Sequence, residues 1–487
     1  MQLFRTKSVE TSIKDTEEPG KQLRRALGPL DLTVFGVGVV IGTGIFVLTG
    51  KAAATEAGPA VSLSFVIAGI VCGLAALCYA EFASTVPVAG SAYTFSYASL
   101  GELVAWIIGW DLMLELALGA ATVASGWSDY LSVVLRDAFD VVLPDWVIGS
   151  GHNLVAGAIV LLLSGLLCLG IKISSRFNAS IVVIKLAIVL LVIIAGIFYV
   201  KAANYSPFIP PAGSAGAAGE AASPSLLQDL GLGVGPFGVG GMFAAAALVF
   251  FAFIGFDVVA TAAEETKNPQ RDLPIGIFAS LAICTILYVA VALVITGMVH
   301  YPDIKVEAPL AEAFNSVGQP VIAEIISFGA LAGLTSVMFI LLLGQSRVFF
   351  AMSRDQLLPP LFAEISQRFQ VPNRTTMVTG VVVAALAAAV PLSTLAELVN
   401  IGTLFAFVLV AIGVIVLRRT RPDLKRSFRT PLVPFLPIVS VLASVYLMLN
   451  LPGATWVRFF IWMAFGLIVY FGYGIRHSRL AAKAAAT

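Results

Sequence analysis

The chain has 487 residues, of which 59% are hydrophobic and 12% charged, with a formal net charge of +1. A soluble globular chain carries roughly twice that charged fraction. With a mean hydropathy of +0.96 and apolar runs of the roughly 20 residues needed to cross a hydrocarbon core, the composition excludes a set of soluble domains and points to an all-α integral membrane protein.

The first residues are polar and of mixed charge, with no apolar stretch and cleavage site of the kind a secretory signal needs. Residues 1–28 therefore read as a cytoplasmic tail, 29–476 as one transmembrane domain and 477–487 as a second tail. Twelve helices are expected, at 30–50, 60–84, 101–131, 153–170, 178–200, 238–263, 274–298, 321–352, 375–391, 394–418, 432–450 and 455–475. The connection 201–237 is rich in Gly, Ala, Ser and Pro and reads as an irregular loop. It separates one repeat, about 30–200, from a second, about 238–418, with two further helices at about 432–475. Cys72, Cys78, Cys168 and Cys284 sit in apolar runs without metal or disulfide spacing and read as small packing residues.

Basic residues orient the helices. With alternating sides, one face receives only Lys51, Arg136, Lys201, Lys305 and Arg458, while Lys185 and Arg347 fall within spans. All other lysines and arginines fall on the side of the N-terminus. An even number of helices with both termini in the cytoplasm gives this bias, as expected of a multi-pass cell-membrane protein.

Two helices carry features that an anchor does not need. The first contains Gly36-Val37-Gly38-Val39-Val40-Ile41-Gly42-Thr43-Gly44-Ile45-Phe46, a glycine cluster at mid-span where Gly is a poor helix former. Close helix packing is one use of such glycines. The sixth contains Phe250-Phe251-Ala252-Phe253-Ile254-Gly255-Phe256-Asp257, placing a Gly and an ionisable Asp in an apolar span. A charge at the bilayer centre costs on the order of 3 kcal/mol or more. Interrupted helices at corresponding positions of two halves, inverted because five helices separate them, are the sequence pattern of a secondary transporter with its site at the midplane. Backbone groups freed at a break need partners that lipid does not supply. An amino acid can supply them, its carboxylate accepting from N–H groups at a half-helix end and its ammonium donating to carbonyls.

The stretch Phe251-Ala252-Phe253-Ile254-Gly255-Phe256-Asp257, followed by Glu264-Glu265-Thr266-Lys267-Asn268-Pro269-Gln270-Arg271-Asp272-Leu273-Pro274-Ile275-Gly276-Ile277, resembles the sixth-helix signature of the cationic amino acid transporter family. That family belongs to the amino acid–polyamine–organocation superfamily, whose first-helix signature resembles Gly42-Thr43-Gly44-Ile45-Phe46. The resemblance spans about residues 25–476 and implies two inverted five-helix repeats, with discontinuous helices 1 and 6, plus two further helices. Animal members carry fourteen helices, so a chain of twelve suits a prokaryotic member. It also implies that backbone N–H groups at Thr43 and Gly44 hold a substrate carboxylate. Carbonyls of Val40, Ile41, Phe251, Ala252 and Ile254 would hold the ammonium, with Phe251 as an aromatic lid. Asp257 joins them as the ionisable group of the second break.

Glu115, in the third span, either meets a substrate's cationic end, carries a proton, or is a satisfied carboxyl linking helices 3 and 8. Asp111 lies four residues earlier on the same face. Lys185 is embedded in Ile184-Lys185-Leu186. It either snorkels to the surface or exchanges a proton in place of a bound cation, and proton-coupled superfamily members are similar in carrying a fifth-helix lysine. Arg347, Glu81, Glu264 and Glu265 read as partners tying the cytoplasmic helix ends. Thr335, Ser336, Met338, Phe339, Gly402 and Thr403 are candidates for the side-chain pocket.

The expected function is import of a cationic or small neutral L-amino acid by alternating access, coupled to protons. An amino acid or polyamine exchanger is the alternative. A channel builds its pore from rings of like groups, which one asymmetric set of breaks does not provide. His152, His300 and His477 fall in loops or at a helix end, and no HExxH or GxSxG motif occurs, so no enzyme, metal or cofactor is expected. The expected partners are the substrate, protons and the bilayer, with room for a small membrane protein and none for nucleic acid.

Overall fold

The computed structural model describes residues 27–85, 93, 96–97, 100–149, 151–170, 175–216, 223–233, 235–256, 259, 266–364, 366, 371–424, 426 and 428–478. Helix α1 (Pro29–Val40) begins with proline at its first position, where the missing N–H costs nothing. Asp31 reaches back to the Gly28 N–H at 2.9 Å. The helix stops at Ile41, whose backbone is extended (φ −71°, ψ 99°). Helical structure resumes as a π-turn Gly44–Leu48, a short α-turn Thr49–Ala52 and a second π-turn Ala53–Ala57. Gly58 then takes a positive φ of 59° and reverses the chain into α2 (Val61–Thr85).

The chain continues through α3 (Glu102–Phe139), α4 (Leu154–Cys168) and α5 (Ser175–Gly196). The second half opens on α6 (Gly238–Val249), which tightens into a 3-10 turn Phe250–Phe253 and then breaks. It goes on through α7 (Pro269–Met298), α8 (Pro320–Arg354), α9 (Asn373–Ala389) and α10 (Leu392–Thr420). Two further helices, α11 (Phe435–Leu449) and α12 (Gly453–Val469), follow.

Among the described residues, seven helical segments are long and apolar enough to cross a membrane. Pro29–Val40, Leu154–Cys168, Gly238–Phe253, Asn373–Ala389 and Phe435–Leu449 are apolar but shorter. Two of these five are short because they end at the breaks.

Several boundaries differ from the sequence expectation. The seventh helix starts at Pro269 rather than 274, because Pro269 suits the first position and Pro274 sits early enough to be tolerated. The third runs on to Phe139 and the eighth to Arg354, which keeps Arg347 within a helix. Arg347 is exposed and ties nothing among the described residues. The 201–237 connection is not wholly irregular: it holds a 3-10 turn Ala202–Tyr205 and a helical turn Leu226–Asp229 capped by Ser225.

The long helix α3 packs along α8, α2 along α7, and α4 along α9. Around them α1 packs on α5 and α7, while α6 packs on α10 and α2. Helix α12 attaches to α3 through indoles. Trp106 donates to Gly466 O at 3.0 Å, Trp110 to Trp462 O at 3.0 Å, and the Trp110 and Trp462 rings stack 4.6 Å apart. Away from α3, α12 exposes Phe460, Ile461 and Ile468, the surface a lipid-facing helix presents.

Candidate functional site

The two breaks meet at the centre of the bundle. A Cβ placed on Gly44 would lie 2.2 Å from Ala252 Cα, so only glycine allows the two strands of backbone to touch. Gly255 takes φ 112°, a region that favours glycine, and a Cβ there would lie 2.7 Å from Val39 Cγ1. Gly42 differs: its added Cβ would make ordinary contact with Val337 at 3.6 Å.

Carbonyls turned out of the helical ladders at the breaks are claimed by side chains. Lys185 is fully buried, runs its stem along Gly333 of α8, and donates from Nζ to Gly38 O at 2.7 Å. It does not snorkel. On α7, the Tyr288 hydroxyl lies 2.8 Å from Val40 O and 2.8 Å from Ala252 O. One O–H proton serves one of these carbonyls at a time, so the other faces an oxygen. On α10, Asn400 donates from Nδ2 to Ala247 O at 2.8 Å and Leu248 O at 2.9 Å, just ahead of the second break. Phe251 O accepts from the Ile254 N–H at 3.2 Å.

Two acceptors at the breaks stay unused. Thr43 Oγ1 and Asn400 Oδ1 are buried without a hydrogen-bond partner. Thr43 lies over Gly126 of α3, where a Cβ would come within 3.0 Å of Thr43 Cγ2. Ile41, Thr43, Phe251 and Ala252 are all buried, so the cradle is closed in this conformation.

Of the sequence candidates, the structure brings Val40, Gly44, Ala252 and Lys185 into one centre. Ile41 and Ile254 lie in the break segments themselves. Glu115 is buried on α3 at 4% exposure. Asp111, one turn earlier, is fully buried with both carboxyl oxygens unpartnered, resting where Gly402 of α10 has no side chain. The hydroxyls of Ser336 and Thr403 donate to their own helices, at Gly333 O (2.9 Å) and Val399 O (3.0 Å). Thr335 accepts from Trp127 Nε1 at 3.0 Å and thus braces α8 on α3. Met338 and Phe339 are buried. Asp257, Glu264 and Glu265 lie outside the described residues.

Sequence reading missed Tyr288 and Asn400. The signal for Asn400 is an amide within Leu398-Val399-Asn400-Ile401, where an unsatisfied amide is expensive. Tyr288 gave less away, since tyrosine is ordinary in apolar helices.

Farther from the centre, the buried Glu81 on α2 meets basic partners as expected. Arg418 of α10 grips it with two hydrogen bonds of 2.9 and 2.7 Å, Arg426 Nε lies 3.4 Å away, and the Thr430 N–H donates at 2.8 Å. Paired, this carboxylate is tolerable inside the protein.

Residues 27–472 match the profile of the family described as amino acid permease. The chain is 48% identical to the methylthioribose transporter of Bacillus subtilis (strain 168), over 98% of this chain and 99% of that one. It is 46% identical to the branched-chain amino acid permease of the same organism, over 98% and 99%. Against the vacuolar cationic amino acid transporter 2 of Arabidopsis thaliana it is 41% identical, over 86% of this chain and 64% of that protein.

Proposed function

The chain belongs to the amino acid permease family, and we propose that it is a secondary active carrier importing an amino acid with protons by alternating access. The observation that carries the proposal is the Lys185 ammonium on the Gly38 carbonyl at the break of α1. A cation fixed there by a buried, titratable side chain can be lost and regained as α1 shifts, which ties helix movement to proton transfer.

The transport frame is twelve spans in two inverted repeats with both termini cytoplasmic. The packing supports it: α2 with α7, α3 with α8 and α4 with α9 are pairs five helices apart, and α1 on α5 has its counterpart in α6 on α10. The basic-residue asymmetry supports the orientation.

Within the cradle, N–H groups at Thr43 and Gly44 take the substrate carboxylate. Carbonyls of Val40, Ile41, Phe251, Ala252 and Ile254 serve the ammonium, and Tyr288 relinquishes one of its two carbonyls when substrate binds. Phe251 covers the site, and Glu115 and Asp257 are the remaining ionisable groups. For the side chain, a neutral, apolar group is best supported. The hydroxyls of Ser336 and Thr403 are turned back onto their own helices, so they present methyl and methylene surface beside Met338 and Phe339. The names of two relatives, one for branched-chain amino acids and one for a thioether sugar, agree with that polarity.

The test is uptake into liposomes under an inward proton gradient, using labelled leucine, alanine and arginine, with methylthioribose as competitor. Leucine should accumulate most and lose accumulation when a protonophore is added. Protonophore-insensitive uptake would remove proton coupling, and preference for arginine would move the side-chain reading to Glu115.

A further inference from the structure

A groove of about 790 Å³ lies well away from the cradle, between the start of α7 and the segment joining α10 to α11. Its floor is apolar, made by Pro274, Ile275, Phe278, Ala279 and Phe428, and its mouth carries Gln270 and Arg271. The Phe278 and Phe428 rings meet with centroids 5.9 Å apart, closing one wall. We propose that this groove binds one anionic phospholipid, with an acyl chain along α7 and the phosphate at Arg271.

Three features argue for that occupant. First, the apolar floor runs on into the exposed side of α7 at Ile275, Ile283 and Ile286. This is a lipid-facing stripe about three turns long at 3.6 residues per turn. An acyl chain fits a path that continues into the bilayer, whereas a compact soluble ligand would not use it. Second, the charge at the mouth is uncompensated among the described residues. Arg271 is exposed and has no ion-pair partner among the described residues, and the same holds for Lys267 one turn before it. The neighbouring Asp272 is buried and accepts from the Asn268 N–H at 3.3 Å. Third, the mouth belongs to the face of the bundle where basic residues concentrate, including exposed Arg429 next to Phe428. Basic pockets at that depth attract anionic headgroups.

The opposite wall is not a free loop. The Phe428 N–H donates to Ser84 Oγ at 3.4 Å, the Thr430 N–H to Glu81 at 2.8 Å, and Thr430 Oγ1 to Leu77 O at 2.9 Å. A lipid wedged against Phe428 therefore presses on the segment that is stapled to α2 and completes the Glu81–Arg418 cluster. Occupancy should stabilise that cluster and hence the folded bundle, since a ligand that binds only the folded state raises apparent stability.

The experiment compares thermal unfolding of the purified full chain in detergent with phosphatidylglycerol or phosphatidylcholine of identical acyl chains. Phosphatidylglycerol should raise Tm by several degrees more than phosphatidylcholine in wild type. R271A should lose most of that difference and R271K should keep it. Native mass spectrometry supplies a readout independent of unfolding: wild type should retain one phosphatidylglycerol after the others are stripped, and F428A should not. An equal Tm gain with both lipids, a full phosphatidylglycerol gain in R271A, or no discretely retained lipid on wild type would each overturn the proposal.

Discussion

The two breaks are built alike but capped by different chemistry. At the first, a side chain of α5 donates to a carbonyl of α1 three residues before the extended Ile41. At the second, a side chain of α10 donates to carbonyls of α6 just before the 3-10 turn. Helices α5 and α10 are five apart, as are α1 and α6, and each supplies one side-chain donor to the carbonyls beside its break. One is an ammonium that can lose its charge; the other is an amide that cannot. Tyr288 stands between them and touches both breaks. The difference assigns tasks. A break capped by an amide keeps the same donor whatever the pH, while a break capped by lysine exchanges a charged donor for a weaker neutral one when the lysine gives up its proton. Under the proposed mechanism the first half would be the moving, proton-sensitive part and the second half the fixed reference.

The largest effect should follow from removing the titratable cap. K185A is expected to reduce proton-driven uptake into liposomes to background while binding measured in detergent persists. Retained, protonophore-sensitive accumulation in that variant would dissolve the distinction between the breaks. Next in size is G44L. Its side chain would be driven into the Ala252 backbone, forcing the breaks apart at a cost of about 1–3 kcal/mol from overpacking. Substrate-induced thermal stabilisation should vanish. G42A, whose added methyl group meets only ordinary contact, should keep it. If both glycine variants behave alike, contact between the breaks is not what the first-helix glycines serve.

The glycines illustrate what the sequence could tell. The positions of both breaks were legible, because Gly42-Thr43-Gly44 and Ile254-Gly255-Phe256-Asp257 interrupt apolar runs at mid-span. Lys185 was legible for the same reason, as a lone cation in an apolar helix. Their physical purpose was less so. Gly44 reads from sequence as a backbone N–H for a carboxylate, and in the fold its missing side chain also lets the Ala252 backbone come close. This is a contact across more than 200 residues that no local pattern encodes. Thr335, Ser336 and Thr403 read as pocket-lining polar groups, but a hydroxyl on a helix readily bonds to the preceding turn. Whether it does so depends on rotamers that composition does not reveal. The partner of Glu81 was predictable in kind only, since Arg418 and Arg426 lie among several basic residues near the end of α10.

A smaller effect is expected at the hydroxyl shared by the two breaks. Y288F keeps the ring packing against Phe65 and Phe253 and removes a single hydrogen bond, worth about 1 kcal/mol. Substrate Kd by calorimetry should weaken about fivefold, in line with that energy. An unchanged Kd would mean that Tyr288 only braces the helices.

The smallest effect on coupling, and the sharpest check on the comparison, belongs to Asn400. N400A leaves the carbonyls of Ala247 and Leu248 without their side-chain donor in a fully buried setting. An unsatisfied buried carbonyl costs about 1–3 kcal/mol, so the variant should unfold at lower temperature than wild type. Uptake should fall by a few-fold, because α6 is held less firmly against α1. What should not change is the dependence on protons. The amide carries no charge at any physiological pH, so its removal weakens the site equally with and without a gradient. The ratio of leucine uptake at external pH 6 to that at pH 8 should therefore match wild type in N400A and collapse toward unity in K185A. Measuring that ratio for both variants, with thermal unfolding alongside to remove the common loss of stability, separates a structural cap from a coupling one. If N400A also flattens the pH ratio, the second break takes part in proton transfer and the two halves divide the work differently.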